Sequence, residues 1–303
     1  MADNPNTDRV WFITGCSSGM GRALAQLLIE VGGKGVITAR KVDHVKDLQE
    51  RSGNRLKPVC VDITKLADVK ASVEFALVQF GRIDVLVNNA AVGHVGAIEE
   101  HTDAEIARVF DTNLFGTLNV IRAVLPHFRR ERGGRIITLT SLGGFRGRAG
   151  VAFYNGSKFA LEGIHEALAD EVRPFGVGVT IVQPGNFKTN FRSRGIVSAN
   201  TVIDDYSETV GRLRKVLSQP QTETSGDPSQ IAAAIMALVE SGLSPMRMAV
   251  GADVIEGMHT KIEAVSRELA EWEHVGMLAG TGGRATLDEY IAAIGEIRDG
   301  LPR

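Results

Sequence analysis

Cysteine is scarce in this 303-residue chain: only Cys16 and Cys60 occur. Two isolated cysteines do not make a disulfide framework, and both are expected as reduced packing residues. An excess of charge of either sign is also missing. Lys and Arg number 34 against 36 Asp and Glu, a formal net charge of −2. That balance gives no electrostatic case for nucleic acid or an anionic membrane. No apolar run approaches the length of a membrane span. The opening ADNPNTDR lacks the apolar centre of a signal peptide, so a soluble, cytoplasmic protein is expected. His259, Glu273 and His274 have no recurring ligand spacing and are expected on a helix surface, so no metal site is expected. Internal repeats and low-complexity segments are absent.

Apolar residues are plentiful, at 44%, enough for a large core. They fall in short runs at 10–14, 35–40, 56–63, 83–90, 135–141, 177–185 and 247–251, with helical periodicity between them. Strands this apolar, alternating with amphipathic helices, predict an α/β fold with a parallel sheet covered on both faces. Right-handed crossovers make it doubly wound. Ligands then bind beyond the carboxyl ends of the strands, where Thr14, Arg40, Asp62, Asn89, Ser141 and Pro184 converge.

The first strand runs into the turn GCSSGMG, residues Gly15, Cys16, Ser17, Ser18, Gly19, Met20 and Gly21, followed by a helical pattern. Strand, glycine turn and helix are the setting of a Rossmann-type dinucleotide site. Gly15 permits the turn, Gly19 admits a pyrophosphate, and Gly21 lets helix and strand approach. The free N–H groups of the new helix would face the phosphates. An ordinary strand–helix turn also uses glycine, but three in this context favour the nucleotide. Further along, Tyr154 and Lys158 stand four apart in FYNGSKFAL, a spacing that shares one helix face. The cation is expected to lower the phenol's pKa and make an acid/base pair. Ser141 precedes the tyrosine by thirteen residues, and Asn113 lies in FDTNLFG.

TGCSSGMG, NNA (88–90), Ser141, YNGSK and PG (184–185) together resemble the short-chain dehydrogenase/reductase family, in its compact single-domain branch. The string PGNFKTNF looks like that family's 17β-hydroxysteroid-dehydrogenase-like subgroup. The likeness covers about the first 190 residues well, and more loosely the stretch to Gly251. It implies a seven-stranded sheet in the order 3-2-1-4-5-6-7 and a catalytic tetrad of Asn113, Ser141, Tyr154 and Lys158. Tyr154 would exchange the proton, Ser141 would hold the substrate oxygen, Lys158 would bind the nicotinamide ribose, and Asn113 would orient a relay water. Asp62 and Ile63 match the family's adenine contact, and Asn89 and Ala90 its adenosine contact, with Ala91 where the family has glycine. Pro184, Gly185, Phe187 and Thr189 match the segment that grips the nicotinamide. The family also implies a homodimer or homotetramer, formed through helices around 103–130 and 153–175.

NAD-selective sites carry an acidic residue at the end of the second strand. Here that position is Ala39, followed by Arg40 and Lys41. Two cations without a carboxylate suit a 2′-phosphate, so NADP(H) is expected over NAD(H). Substrate is expected to be a hydrophobic carbonyl compound or its alcohol, lined by His94, Leu142, Gly143, Phe145, Phe153 and Phe191. Arg146 and Arg148 could instead meet an anionic substrate, although solvated loop arginines are commoner. The domain would span 1–252, with 190–227 as a substrate lid in which RSRGIVSANT is loop and Asp227-Pro228 starts a helix. Residues 253–303 would be a helical extension on the same domain or a neighbouring subunit. An NAD-linked dehydrogenase and a non-catalytic nucleotide sensor remain as alternatives. The glycine spacing disfavours a sugar-nucleotide epimerase.

Overall fold

A computed structural model describes residues 8–219, 226–279 and 285–300. The polar opening segment to residue 7, residues 220–225 of the turn-rich stretch and most of the LAGTGGRA break lie outside the described residues. The chain divides into two compact units, 1–255 and 256–303.

The first unit is built on strands β1 (Val10–Ile13), β2 (Lys34–Ala39), β3 (Leu56–Cys60), β4 (Val85–Asn88), β5 (Gly93–Val95), β6 (Gly134–Leu139), β7 (Val177–Pro184), β8 (Ile196–Ser198) and β9 (Arg247–Val250). Seven of them form one sheet in the order β3-β2-β1-β4-β6-β7-β9. Every pairing in it is parallel, and the order is the one the sequence resemblance implied. Helices α1 (Gly19–Glu30), α2 (Lys46–Arg51), α3 (Leu66–Phe80), α4 (Asp103–Phe110), α5 (Thr117–Glu131), α6 (Ala152–Val172), α7 (Arg212–Ser218) and α8 (Pro228–Ser241) belong to this unit. Helix α9 (Ala252–Met277) begins within it, and α10 (Leu287–Gly300) belongs to the second.

Strand alternation explains why both sheet faces are covered. Successive side chains point to opposite faces. Trp11, Ile13, Ile37, Val85, Val87 and Ile137 enter one core layer with α1 and α8. Phe12, Val36, Leu86, Ile136 and Val179 enter the other with α3 and α5. Fully buried strands of this kind have no polar face to show water. Gly81 and Gly242 end α3 and α8 in left-handed conformations, with φ of 75° and 78°. The expected start at Asp227-Pro228 is present: the Asp227 carboxylate accepts the Ser229 N–H at 2.8 Å.

Residues 190–219 depart from the loop reading of RSRGIVSANT. Ile196–Ser198 forms β8 and pairs in parallel with β5, Gly93↔Ile196 through Val95↔Ser198. Three residues are too few to display a period in sequence. A π-helical turn precedes β8 at Phe191–Gly195, and another leads into α7 at Ser207–Gly211. The segment is fastened to the body by a buried carboxylate. Glu100 accepts from the Ala97 N–H at 2.6 Å, the Ile203 N–H at 2.8 Å and the Arg214 guanidinium at 2.6 Å. Burial opposes the charge of Glu100, but Arg214 and the two backbone donors outweigh it and hold the pKa down at about 2.

Candidate active site

The glycine turn after β1 fits a dinucleotide. Gly15 and Gly19 have φ of 71° and 61°, a region closed to most side chains. A Cβ on Gly21 would strike the Asn89 amide and approach the Gly15 carbonyl at 2.7 Å. Ser18 caps α1 without a side-chain hydrogen bond, and no acidic residue occupies the first turn. The leading N–H groups of α1 therefore keep their donors for an anion. Ser17 is exposed on the turn, while Met20 packs against the core. Thr14 pins this turn to the end of β4, its hydroxyl accepting the Asn89 and Ala90 N–H groups at 3.0 and 3.1 Å. The Asn89 side chain donates to the carbonyls of Thr14 and Gly15 at 2.9 and 3.0 Å. Its amide is thus committed to the turn itself.

At the end of β2, Ala39 is buried and Arg40 and Lys41 are exposed. Arg22 is a cation the sequence reading passed over, although it directly follows the glycine motif. Its guanidinium donates to the His44 carbonyl at 3.0 Å and pairs with Asp47. After β3, Asp62 accepts from the Thr64 N–H and hydroxyl at 3.1 and 2.7 Å. Burial works against its charge, but those bonds and the charges of Lys65 and Arg40 lower its pKa. Ile63 beside it is buried in the second core layer.

Asn113 lies not in regular α-helix but in a π-helical turn, Asp111–Gly116, a feature often found at functional sites. It is fully buried. Its side chain accepts the Val92 N–H and donates to the Val92 carbonyl, both at 2.8 Å, and also donates to the Ser157 hydroxyl at 3.0 Å. Ser141 begins the turn after β6 and accepts the Gly143 N–H at 3.1 Å. Tyr154 and Lys158 share one face of α6, with the ammonium 5.9 Å from the tyrosine ring centre. The Lys158 ammonium donates to the Leu139 carbonyl at 2.8 Å.

The expected lowering of the Tyr154 pKa is not what the structure gives. Burial pushes the phenol up to about 12, against a hydrogen bond with Ser141. Burial also pulls Lys158 down to about 8, against the charge of Glu162. Desolvation of both groups outweighs their proximity. The phenol therefore carries its proton across the neutral range.

Behind the lysine is a polar network that no local spacing announces. Glu162 accepts from the Thr140 hydroxyl at 2.7 Å, the Gln183 amide at 2.9 Å and the Arg247 guanidinium at 2.8 Å.

The cavity beside Tyr154 has a volume of about 540 Å³, within the range of small-molecule sites. Ser141, Leu142, Gly143, His94 and Phe191 line it, joined by Arg146, Arg148, Val151, Ile196, Leu213 and Leu217. Phe191 tilts against Tyr154, ring centres 5.9 Å apart. Phe145 and Phe153 are not among the lining residues. Phe153 packs edge-on against His101 at 5.0 Å. His101 in turn lies 4.9 Å from the His94 ring. Phe187 also differs from expectation: its side chain is in the first core layer, with its ring against Gly226. The segment after β7 is held by Asp253, whose carboxylate accepts the Asn186 N–H at 2.7 Å and lies against Gly185. Buried Pro184 ends β7. Thr189 closes on the glycine turn, its Cβ at 3.4 Å from where a Gly19 side chain would begin.

Among the described residues no cluster of three metal-ligating side chains occurs, and no helix is long and apolar enough to cross a membrane. His259 and Glu273 are exposed, and His274 contacts the Ala293 carbonyl at 3.1 Å. Cys16 is buried and Cys60 exposed, both as free thiols.

A parallel doubly wound sheet with a glycine turn and a Ser–Tyr–Lys cluster at its carboxyl edge defines a class of nucleotide-dependent oxidoreductases. The family profile described as short chain dehydrogenase matches residues 9–195. The chain belongs to the short-chain dehydrogenase/reductase family. It is 38% identical over 244 residues to a 3-ketodihydrosphingosine reductase of Bacteroides thetaiotaomicron, covering 80% of this chain and 88% of that protein. A short-chain dehydrogenase structure from Streptomyces avermitilis is 37% identical, with TM-score 0.84, covering 90% of this chain and all of that one. A 3-ketoacyl-(acyl-carrier-protein) reductase from Brucella melitensis, solved with NADH, is 28% identical with TM-score 0.67, covering 80% and 96%.

Proposed function

We propose that this oxidoreductase interconverts a hydrophobic ketone or aldehyde and its alcohol, with NADP(H) preferred over NAD(H) and Tyr154 as general acid and base. The observation that carries the reading is Ser141 and Tyr154 on one cavity wall, with Lys158 buried 5.9 Å from the tyrosine ring centre, together with a glycine cradle that a single Cβ would fill. The nicotinamide, when bound, supplies or accepts the hydride.

The chain's own residues do the rest. Ser141 hydrogen-bonds the substrate oxygen and fixes its position. Tyr154, still protonated at neutral pH, donates its proton to that oxygen as negative charge develops on it. In the reverse direction the same phenol takes the alcohol proton. Lys158 keeps a positive charge under the reacting oxygens and reaches toward the ribose. Asn113 holds the Val92 loop and Ser157 together and positions the route by which Lys158 is reprotonated. Gly15, Ser17, Ser18, Gly19 and Gly21 receive the pyrophosphate, and Arg40 and Lys41 the 2′-phosphate. Asp62, Ile63, Asn89 and Ala90 border the adenosine, and Pro184, Gly185 and Thr189 the nicotinamide.

Exposed Phe115 and Phe159, in the segments around 103–130 and 153–175, support assembly into a dimer or tetramer through those faces. The test of the chemistry follows nicotinamide absorbance with NADPH or NADH against aryl, cyclic and chain ketones and aldehydes. Tyr154→Phe should abolish turnover while still binding cofactor. Undiminished turnover by that variant would remove the role given to Tyr154.

A further inference from the structure

The residues bordering the cavity are unequal in charge. Apolar side chains make its walls: Leu142, Val151, Phe191, Ile196, Leu213 and Leu217. Two guanidiniums, Arg146 and Arg148, stand among them, and no Asp or Glu lines the cavity. Glu105 lies 3.8 Å from the ring of the lining residue His94. It is already held by the Thr102 N–H and hydroxyl at 2.8 and 3.0 Å.

Neither arginine is a loosely attached surface residue. The Arg146 N–H bonds the Leu142 carbonyl at 2.8 Å. The Arg148 N–H bonds the Asn155 side chain at 2.9 Å, and the same side chain donates to the Gly143 carbonyl at 2.9 Å. Asn155 directly follows Tyr154, so the loop bearing both cations is tied to the helix that carries the phenol. Both side chains are exposed, and among the described residues neither guanidinium has an ion pair or hydrogen bond. Elsewhere in the protein, arginines at the edges of functional segments are paired, as Arg22 is with Asp47, Arg214 with Glu100, and Arg247 with Glu162. Two unpaired, fixed-base cations at the rim of an apolar cavity leave a charge that a ligand can meet.

We propose that the substrate carries an anionic group, a carboxylate or phosphate, on its apolar body, which Arg146 and Arg148 receive while the carbonyl lies at Ser141 and Tyr154. This rests on the carbonyl/alcohol reading above and narrows its substrate class. Hydrophobic contact would bind the body, and the arginines would set which end of the molecule enters last.

The probes are methyl ketones on carbon chains of graded length that end in a carboxylate, each matched by its neutral methyl amide. For the intact protein with NADPH, the carboxylate at the best length should exceed its amide in kcat/KM by about five- to tenfold, the scale of two exposed ion pairs. The ratio should fall with added salt. It should collapse toward one in Arg146→Ala/Arg148→Ala, survive in the Lys variants, and invert in Arg148→Glu. Calorimetric binding of the same carboxylates and amides, measured with each variant, separates the two readings. Charge-dependent binding without turnover of any ketone would sink the reductase assignment and leave the anion site standing. Equal binding and turnover of acid and amide, or a preference that ignores both arginines, would overturn the proposal.

Discussion

Glu162 follows Lys158 by one helical turn and accepts hydrogen bonds from Thr140, Gln183 and Arg247. Thr140 and Gln183 sit at the ends of β6 and β7, next to Ser141 and to Pro184-Gly185, and Arg247 begins β9. One buried carboxylate therefore joins the helix of the lysine to the ends of β6 and β7 and to the start of β9. Its charge also opposes the burial that depresses Lys158.

Glu162→Gln should separate these effects. Reduction needs the ammonium of Lys158, which is present below a pKa of about 8 and lost above it. The rate should thus fall as pH rises through about 8 in the wild type. Removing the Glu162 charge lets burial act unopposed, so the falling limb should move to lower pH. Stability should drop by about 1–3 kcal/mol as Arg247 loses a charged partner. A pH–rate profile unmoved by the substitution would leave Glu162 a purely structural brace; Glu162→Asp should restore part of the wild-type limb.

Arg40→Ala should weaken NADPH about tenfold more than NADH, since a charge-assisted bond to a phosphate is worth about 1.5–3 kcal/mol. Equilibrium binding of both cofactors checks it. Equal loss for the two would remove Arg40 from the 2′-phosphate.

Arg214→Met should cost about 2–4 kcal/mol, because Glu100, 1% exposed, would keep its charge without its cation. Leu213 and Leu217 line the cavity on either side of Arg214, so KM for bulky ketones should rise as well. Adding Glu100→Leu should recover part of the lost stability by removing the stranded charge. Urea midpoints of the single and double variants decide between this and simple loss of packing.

His165 should make the fold acid-sensitive. Burial drives its pKa down from 6.5 to about 4, against its hydrogen bond to the Leu161 carbonyl and with Lys158 adding repulsion. The unfolded chain binds the proton first. Stability contributed by the neutral ring is complete above pH 6.5 and declines as pH falls toward 4, by about 3 kcal/mol at the lower value. Urea midpoints across that range should flatten in His165→Gln.

Much of this architecture was legible because the signals are local. Seven apolar runs gave the strands of the main sheet, since strands buried on both faces have no polar alternation to blur them. Gly15, Gly19 and Gly21 announced their turn by spacing alone. Ser141, Tyr154 and Lys158 stood out because chemistry restricts their types. What escaped was long-range or brief. Strand β8 has three residues and exists only because β5 offers an edge. Phe145 and Phe153 were assigned to the cavity wall by their place in the loop; Phe153 instead meets His101, a partner 52 positions upstream. The bonds of Glu162 reach residues up to 85 positions distant. Tyr154 was expected to be acidified by a neighbour, but the burial that outweighs that neighbour is a property of the whole fold.

Asp253 sits in the first turn of α9, two residues past Gly251, and its carboxylate supports the backbone at Gly185 and Asn186. This fixes where the chain can be cut. A protein ended at residue 252 would keep all seven strands of the main sheet and lose the prop under the segment that follows β7. One ended a turn later would keep it. The start of α9 is thus the keel of the catalytic unit as well as the root of the helical tail, and shortening the tail by a few residues too many should register first as weakened cofactor binding.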